Sequence, residues 1–175
     1  MQSLRACLIA AFVFAASGAG LAQTLELAIK ATYLYKFAPF VEWPASAFEG
    51  PSSPINICIV GADPFGVTLD QAVASQRVSD RPIVIRRIAT PSPRCHIAFI
   101  SGADAFVAQA LDAVRGAPVL TVTDNAAAAN MRGIINFVIV ANHVRFDIDD
   151  AAAARSGITV SSKLLSLAHS VRPRV

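Results

Sequence analysis

Residues 134–149 carry the clearest pattern of apolar and polar positions in the chain. Residues 134–140 are apolar almost throughout, which favours a strand covered on both faces. Residues 143–149 alternate, which is typical of a strand with one solvated face. Because Asn142 tolerates the positive φ of a tight turn, we expect a β-hairpin here. The apolar side of its second strand is Val144, Phe146 and Ile148, and the polar side is His143, Arg145, Asp147 and Asp149.

Strand-like and helix-like segments alternate along the rest of the chain. Apolar runs between Gly, Pro and polar residues predict strands at residues 55–60, 83–88, 95–100 and 118–123, with extended chain at 158–160. Helical spacing predicts helices at residues 24–38 (capped by Thr24), at 64–75, from 101 or 104 with Gly116 as the C′ residue after its end, at 151–156 and from 161 or 162 onward. The remaining segments are predicted to be a polar loop at 76–82, an excursion of one helical turn within 124–133, and a frayed basic tail from Ser170.

This alternation predicts the fold class. Strands that alternate with helices indicate an α/β domain with a mainly parallel sheet flanked by helices. The hairpin adds a C-terminal antiparallel element. With no internal repeat or low-complexity linker in its 175 residues, the chain is predicted to hold a single domain.

The first 22 residues have the layout of a secretory signal peptide. Arg5 gives a positive start, residues 6–16 are apolar, and small residues precede a cleavage point after Ala22, with Ala19 as an alternative. A transmembrane anchor is the competing interpretation, but the apolar run is short of the roughly 20 residues that a span needs. We therefore expect a mature α/β domain at residues 23–175 in a periplasm.

Charge argues against a nucleic-acid partner. Loss of residues 1–22 removes Arg5 and leaves 14 basic and 12 acidic residues, a net charge of +2. No basic run or basic-aromatic pattern adds to this weak excess. After residue 22 no segment is long and apolar enough to span a membrane.

Two cysteines, Cys58 and Cys95, remain after the predicted cleavage. An even pair in an oxidising compartment predicts a disulfide. Two separate buried thiols are the alternative. A metal site that uses Cys95 and His96 is weaker, because no Cys or His pair here has the spacing of a known zinc motif.

Catalytic motifs are not found, but the strand ends offer a candidate ligand crevice. The chain has no G-x-S-x-G elbow, Walker loop or H-E-x-x-H motif. Asp63 and Asp124 each follow a predicted strand, where open α/β sheets bind ligands. They would act as an acid and base pair only if they are adjacent in space, and ordinary turn and cap residues are the simpler interpretation. The residues favour a non-catalytic binding or regulatory domain with no cofactor or metal.

The order and spacing of several motifs resemble those of the YfiR-like periplasmic proteins. The N-terminal motifs are KATYLYKF at residues 30–37 and FVEWP at 40–44. The C-terminal motifs are INF at 135–137, VRFDI at 144–148, Ala152-Ala153, Gly157-Ile158 and SSKLL at 161–165. The paired cysteines and the turn at residues 63–66 also fit. Two departures are Arg132 before Gly133, where a double glycine is expected, and Asp147 in place of a more usual Glu.

The resemblance implies a regulatory function. Characterised members repress an inner-membrane diguanylate cyclase by binding its periplasmic region, which lowers cyclic-di-GMP synthesis. An outer-membrane lipoprotein can sequester the repressor, and the redox state of the family's disulfides is tied to repressor stability. The resemblance also suggests a homodimer.

Four residues are candidate partner contacts. These are Trp43, Arg145, Asp147 and Lys163. Each has a plainer interpretation, since Trp43 suits the core and the charged side chains suit a solvated face. The alternative function is a small-molecule-binding or sensor module that uses the crevice near Asp63 and Asp124.

Overall fold

Eight strands form one sheet in the computed structural model, which describes residues 17–124 and 126–174. The strands are Val41–Glu42 (β1), Ile55–Gly61 (β2), Arg77–Val78 (β3), Arg81–Ile88 (β4), Ile97–Ser101 (β5), Leu120–Asp124 (β6), Ile135–Val140 (β7), His143–Asp149 (β8), Thr159–Val160 (β9) and Ser170–Arg172 (β10). The helices are Ser17–Phe37 (α1), Val67–Val73 (α2), Asp104–Ala113 (α3), Asp150–Arg155 (α4) and Ser162–Leu167 (α5).

The sheet has the order β10-β8-β7-β6-β5-β2-β4-β3. The five strands from β7 to β4 run parallel, β8 and β3 are antiparallel to their neighbours, and β10 is parallel to β8. The separate strands β1 and β9 form a two-stranded antiparallel ladder. The predicted fold class, a mainly parallel α/β sheet with a C-terminal hairpin in a single domain, is confirmed.

Apolar side chains cover the two faces of this sheet in two clusters. Strand residues alternate between faces, so Ile57 and Cys58 of β2 belong to different clusters. The larger cluster packs α1 and α2 against the sheet, and its centre is the ring of Phe37, 5.9 Å from Phe137 and 5.2 Å from Phe146. The smaller cluster places α3 on the opposite face.

The hairpin is confirmed with one correction. Ala141 and Asn142 have φ values of 48° and 60°, as a type I′ turn requires. In β8 the predicted apolar side chains are buried and the predicted polar ones are exposed or half-buried. However, β7 is not covered on both faces along its whole length, because Ile139 near the turn is exposed.

The departure at Arg132 is compatible with this geometry. A Cβ at Gly133 would lie 2.6 Å from the Thr121 carbonyl oxygen, so only glycine fits there. Arg132 has an ordinary φ of −89° and its Nε donates to the Ala126 carbonyl oxygen at 2.8 Å. The close backbone approach therefore needs one glycine rather than two.

Several predicted boundaries are wrong. Helix α1 already includes Ser17, the first described residue, and the Thr24 hydroxyl donates to the Gly20 carbonyl oxygen instead of capping. Helix α2 begins at Val67, because Asp63 holds the preceding backbone in a turn. The predicted signal peptide, residues 1–22, lies outside the described residues except for 17–22, which belong to α1.

Two polar segments predicted as irregular form strands. The predicted loop at 76–82 contains β3 and a tight turn at Ser79 and Asp80, both with positive φ. The predicted frayed tail contains β10, which pairs with β8. Arg172 and Arg174 hold this tail by ion pairs of 3.3 and 2.8 Å with Asp149 and Asp150.

The two cysteines are joined as predicted. Cys58 in β2 and Cys95 just before β5 form a disulfide with a Cα–Cα distance of 5.8 Å. Both are nearly fully buried and belong to the smaller cluster. The disulfide therefore links two adjacent central strands through residues that are 37 apart in sequence.

Reduction should destabilise the domain. A loop of 37 residues corresponds to a loss of about 4 kcal/mol in the chain-entropy description of a disulfide. We expect urea unfolding to show this loss on adding a reductant and in Cys58→Ser. The double variant Cys58→Ser/Cys95→Ser is the control and should not respond to reductant. Two titratable thiols in the native oxidised domain would contradict the prediction.

Candidate functional site

The two predicted crevice carboxylates are not brought together. Asp63 follows β2 and Asp124 ends β6, with β5 between those strands in the sheet. Asp63 lies 2.7 Å from Arg87 Nε, while both carboxylate oxygens of Asp124 lie 2.7 Å from Lys30 Nζ. Each carboxylate therefore has its own cation, and the pair does not form an acid and base couple.

Asp63 acts as a turn residue. Its Oδ1 accepts from the backbone N–H groups of Phe65 and Gly66 at 2.8 and 3.1 Å. Partial burial raises the pKa of this carboxyl, but hydrogen bonds from Arg87 and those two N–H groups outweigh burial, and the pKa lies below its usual value. Arg87 also binds Asp70, and these bonds raise the pKa of the guanidinium. The arrangement fixes the turn before α2.

Asp124 forms a largely buried ion pair that was not predicted from the sequence. Lys30 in α1 is only 3% exposed, and its Nζ also lies 2.5 Å from Glu26 Oε1. The Asp124 side chain is 28% exposed. The sequence signal was the Glu26–Lys30 spacing of four beside the buried positions of α1. The ammonium binds α1 to the carboxyl end of β6 in the middle of the sheet.

A cavity of about 230 Å³ opens beside this ion pair at the ends of β5 and β6. Its wall includes Ser101, Asp104, Thr123 and Asp124. Beside this cavity lie the carboxyl ends of β2 and β5, from which the chain continues into α2 and α3 on opposite faces of the sheet. An open α/β sheet usually binds its ligand in a crevice at such a point. Here the Phe106 ring fills that position, since a Cβ on Gly61 would overlap both the ring and the Ser101 carbonyl oxygen.

A second cavity, of about 310 Å³, lies over the disulfide. Its wall includes Asn56, Arg86, Arg94, His96 and both cysteines. Arg86 Nε donates to Asn56 Oδ1 at 3.0 Å, and Arg94 is exposed. Arg94 also lies 3.6 Å from Glu49, which lines the cavity as well, so two arginines and one glutamate surround the disulfide in its wall.

His96 is the most perturbed titratable group at this cavity. It is 3% exposed, its ring stacks on Phe48 at 4.5 Å, and its Nδ1 accepts from the Asn56 N–H at 3.1 Å. Among the described residues its Nε2 has no partner in hydrogen-bond geometry, although the Ala47 carbonyl is close enough to raise the pKa of the ring. Burial lowers the pKa of His96 to about 4, with the Arg81 charge adding to this and the Ala47 carbonyl opposing it. His96 is therefore neutral at physiological pH.

The four predicted partner contacts fall in two places. Arg145 and Asp147 lie on β8, where Arg145 is exposed and Asp147 Oδ2 is 3.7 Å from Arg132 Nη1. Trp43 follows β1, is half-buried, and donates from Nε1 to the His96 carbonyl oxygen at 3.2 Å. Lys163 in α5, which follows β9, lies 5.7 Å from the Phe40 ring.

Neither a metal cluster nor a membrane span is present in the described part of the chain. Within 17–124 and 126–174, no three His, Cys, Asp or Glu side chains are grouped so that they could hold a metal ion. In the same ranges no helix is long and apolar enough to cross a membrane.

Comparison with known proteins identifies the family. The profile of the YfiR/HmsC-like family, DUF4154, matches residues 27–169. A search of curated proteins finds no match. Because the family profile covers most of the chain, the protein belongs to the YfiR/HmsC-like family, in agreement with the resemblance of its motifs. Membership is consistent with a periplasmic regulatory protein.

The Lys30–Asp124 pair gives a stability prediction. Asp124→Asn should lower the free energy of unfolding by about 2 kcal/mol because it removes a counter-ion from a buried ammonium that keeps only Glu26. Lys30→Met should cost less, since the two remaining carboxylates, of Glu26 and Asp124, are partly hydrated. Urea unfolding of both variants and of the double variant measures the coupling. Equal losses in the two single variants that simply add in the double variant would contradict a coupled pair.

The buried His96 gives a pH prediction. Its pKa is near 6.5 in the unfolded chain and about 4 in the fold, so protonation below pH 6.5 favours unfolding. Its contribution to stability is complete above pH 6.5 and falls by up to about 1.4 kcal/mol per pH unit as the pH drops towards 4.

The matched variant is His96→Asn, whose side-chain oxygen can still accept from the Asn56 N–H. Urea unfolding is measured between pH 7.5 and 4.5, which extends about two units below the ordinary histidine pKa. As the pH falls, the free energy of unfolding should decrease more steeply for the wild type than for His96→Asn. Parallel curves for the two proteins would mean that His96 does not titrate in this way.

Proposed function

We propose that this protein is a periplasmic repressor that binds the periplasmic region of an inner-membrane diguanylate cyclase and lowers cyclic-di-GMP synthesis. The observation that carries the proposal is the family match over residues 27–169. The matched segment includes the second half of α1 and every strand of the sheet except β10. The disulfide between Cys58 and Cys95 suits an oxidising compartment. The proposal includes a signal peptide at residues 1–22, removed to leave the domain at 23–175.

Repression needs no catalytic group in this protein. A binding partner shifts a receptor between two states by its difference in affinity for them. A tenfold change in the population ratio requires about 1.4 kcal/mol of differential binding. A rigid α/β domain that recognises only the inactive cyclase would supply this from surface contacts, so the protein is proposed to act without enzymatic activity.

The contact surface is proposed to include the exposed part of β8. Arg145 is exposed, and its neighbour on the same side of the strand, Asp147, is half-buried. Trp43 and Lys163 near the β1–β9 ladder form the other proposed contact region. An outer-membrane lipoprotein that releases the cyclase, and a homodimer, belong to the same proposal.

A small-molecule-binding module is the second candidate. The cavity of about 310 Å³ beside His96 favours it, because its size falls at the lower end of ordinary ligand pockets. The cavity at Asp124 is smaller. A ligand that binds the native state would raise the melting temperature by an amount that grows with the ratio of its concentration to its Kd.

Deletion of the gene tests the proposed function. We expect intracellular cyclic-di-GMP to rise on deletion, because the cyclase loses its repressor. The rise should vanish when the gene is restored, and it should require an intact membrane diguanylate cyclase. Unchanged cyclic-di-GMP in the deletion strain, together with a ligand-dependent melting temperature of the purified domain, would favour the small-molecule candidate instead.

A further inference from the structure

A long groove runs between α1 and the turn end of the hairpin. Two adjoining cavities of about 760 and 410 Å³ form it, and both are lined by Ile29 and Tyr33 of α1. The larger one lies between α1 and the hairpin, where it reaches Ile139 and Val144, and the smaller one is lined by α1 alone as far as Lys36. We call this feature the α1–hairpin groove.

The groove concentrates the exposed apolar surface of the domain. Six large apolar residues are exposed in the described part of the chain, and three of them line this groove. Leu25 is 63% exposed, Ile29 is 37% exposed and Ile139 is 44% exposed. Single exposed apolar residues are ordinary, but a cluster of them in a concave surface is typical of an interaction site.

The charges at the groove are basic. Lys36 and Arg145 line it and are exposed, and neither takes part in an ion pair among the described residues. The acidic side chain in the described lining, Glu26, is bonded to Lys30, but Lys30 also pairs with Asp124, so the negative charge of Glu26 still counts. The three charged side chains of the described lining, Lys36, Arg145 and Glu26, sum to a net charge of +1, which favours an occupant with acidic residues beside Lys36 and Arg145.

We propose that the α1–hairpin groove binds an amphipathic helix of a protein partner, with an apolar stripe against Ile29 and Ile139 and acidic residues near Lys36 and Arg145. From Leu25 to Lys36 the groove follows α1 for about 16 Å, which matches about three helical turns. Apolar anchors repeated every three or four residues would reach along this length. The inference deepens the proposed function, on which it rests for the identity of the partner.

Charge favours a different protein over a second copy of this chain. A two-fold dimer through this groove would place the same patch on both copies. Each copy would bring two basic groups, Lys36 and Arg145, against the single carboxylate Glu26, so two net positive patches would face each other. An added β-strand also fits poorly, because β10 already pairs with Asp147–Asp149 and leaves only a short edge of β8.

Site-specific crosslinking in the source cells tests the occupant directly. The photoreactive residue p-benzoylphenylalanine replaces Ile139 in the full chain, and the control carries it at Val67, which is exposed outside the groove. Mass spectrometry then identifies the crosslinked peptide. We expect position 139, and not 67, to capture a segment with acidic residues and a helical apolar period.

The identity of the captured peptide separates the two proposals. An acidic amphipathic segment of a diguanylate cyclase or of its lipoprotein antagonist supports both. The same kind of segment from an unrelated protein would support the groove as the binding site for an acidic amphipathic helix. It would contradict the proposed repression of a diguanylate cyclase. A peptide of this chain itself, a basic segment, or equal yields at positions 139 and 67 would overturn the proposed occupant.

Binding of the captured segment as a synthetic peptide gives the quantitative test. Ile29→Glu and Arg145→Glu should each weaken binding by about tenfold or more, which corresponds to about 1.4 kcal/mol. The matched controls Val67→Glu and Leu167→Glu, also exposed but outside the groove, should leave the Kd unchanged. Salt should weaken the wild type more than Arg145→Glu. Equal effects in groove and control variants would refute the groove as the binding surface.

Discussion

The packing of α1 across the β7–β8 hairpin is the contact on which the rest of the domain depends. Phe37 lies 5.9 Å from Phe137 and 5.2 Å from Phe146, and Tyr33 lies 5.5 Å from Phe146. These rings join the first helix to strands near the other end of the chain, while Lys30 binds the same helix to β6 through Asp124. Because α1 is fixed in this way, the apolar floor of the α1–hairpin groove is fixed too.

Local pattern was sufficient to predict most of the fold. The alternation in β8 and the turn at Asn142 predicted the hairpin, because register and turn geometry are encoded within a few residues. Strand β10 was missed since Ser170, Val171 and Arg172 are exposed and show no strand pattern; their pairing depends on the edge of β8 and on the Arg172–Asp149 ion pair. The start of α1 was misplaced because a polar Thr24 resembles a cap even inside a helix.

The site was less predictable than the fold. Strand-end logic placed Asp63 and Asp124 correctly at the carboxyl ends of β2 and β6. It did not reveal that Arg87 and Lys30 bind them, because each ion pair joins residues 24 or more apart in the chain. The sequence suggests His96 only as a metal ligand beside Cys95, whereas its burial by Phe48 and Trp43 arises from the loop that precedes β2.

The parallel placement of β10 against β8 has a consequence for how the chain reaches this structure. The α1 contacts with β8 join distant parts of the sequence, such as Phe37 and Phe146, whereas β10 pairs with residues only 23 positions before it. Contacts between distant residues give a topology a high contact order. The chain must lose the entropy of closing a long loop before such contacts can stabilise the fold. The domain therefore completes its sheet only after residues 170–172 have been synthesised, and until then the edge of β8 at Asp147–Asp149 is open to other strands.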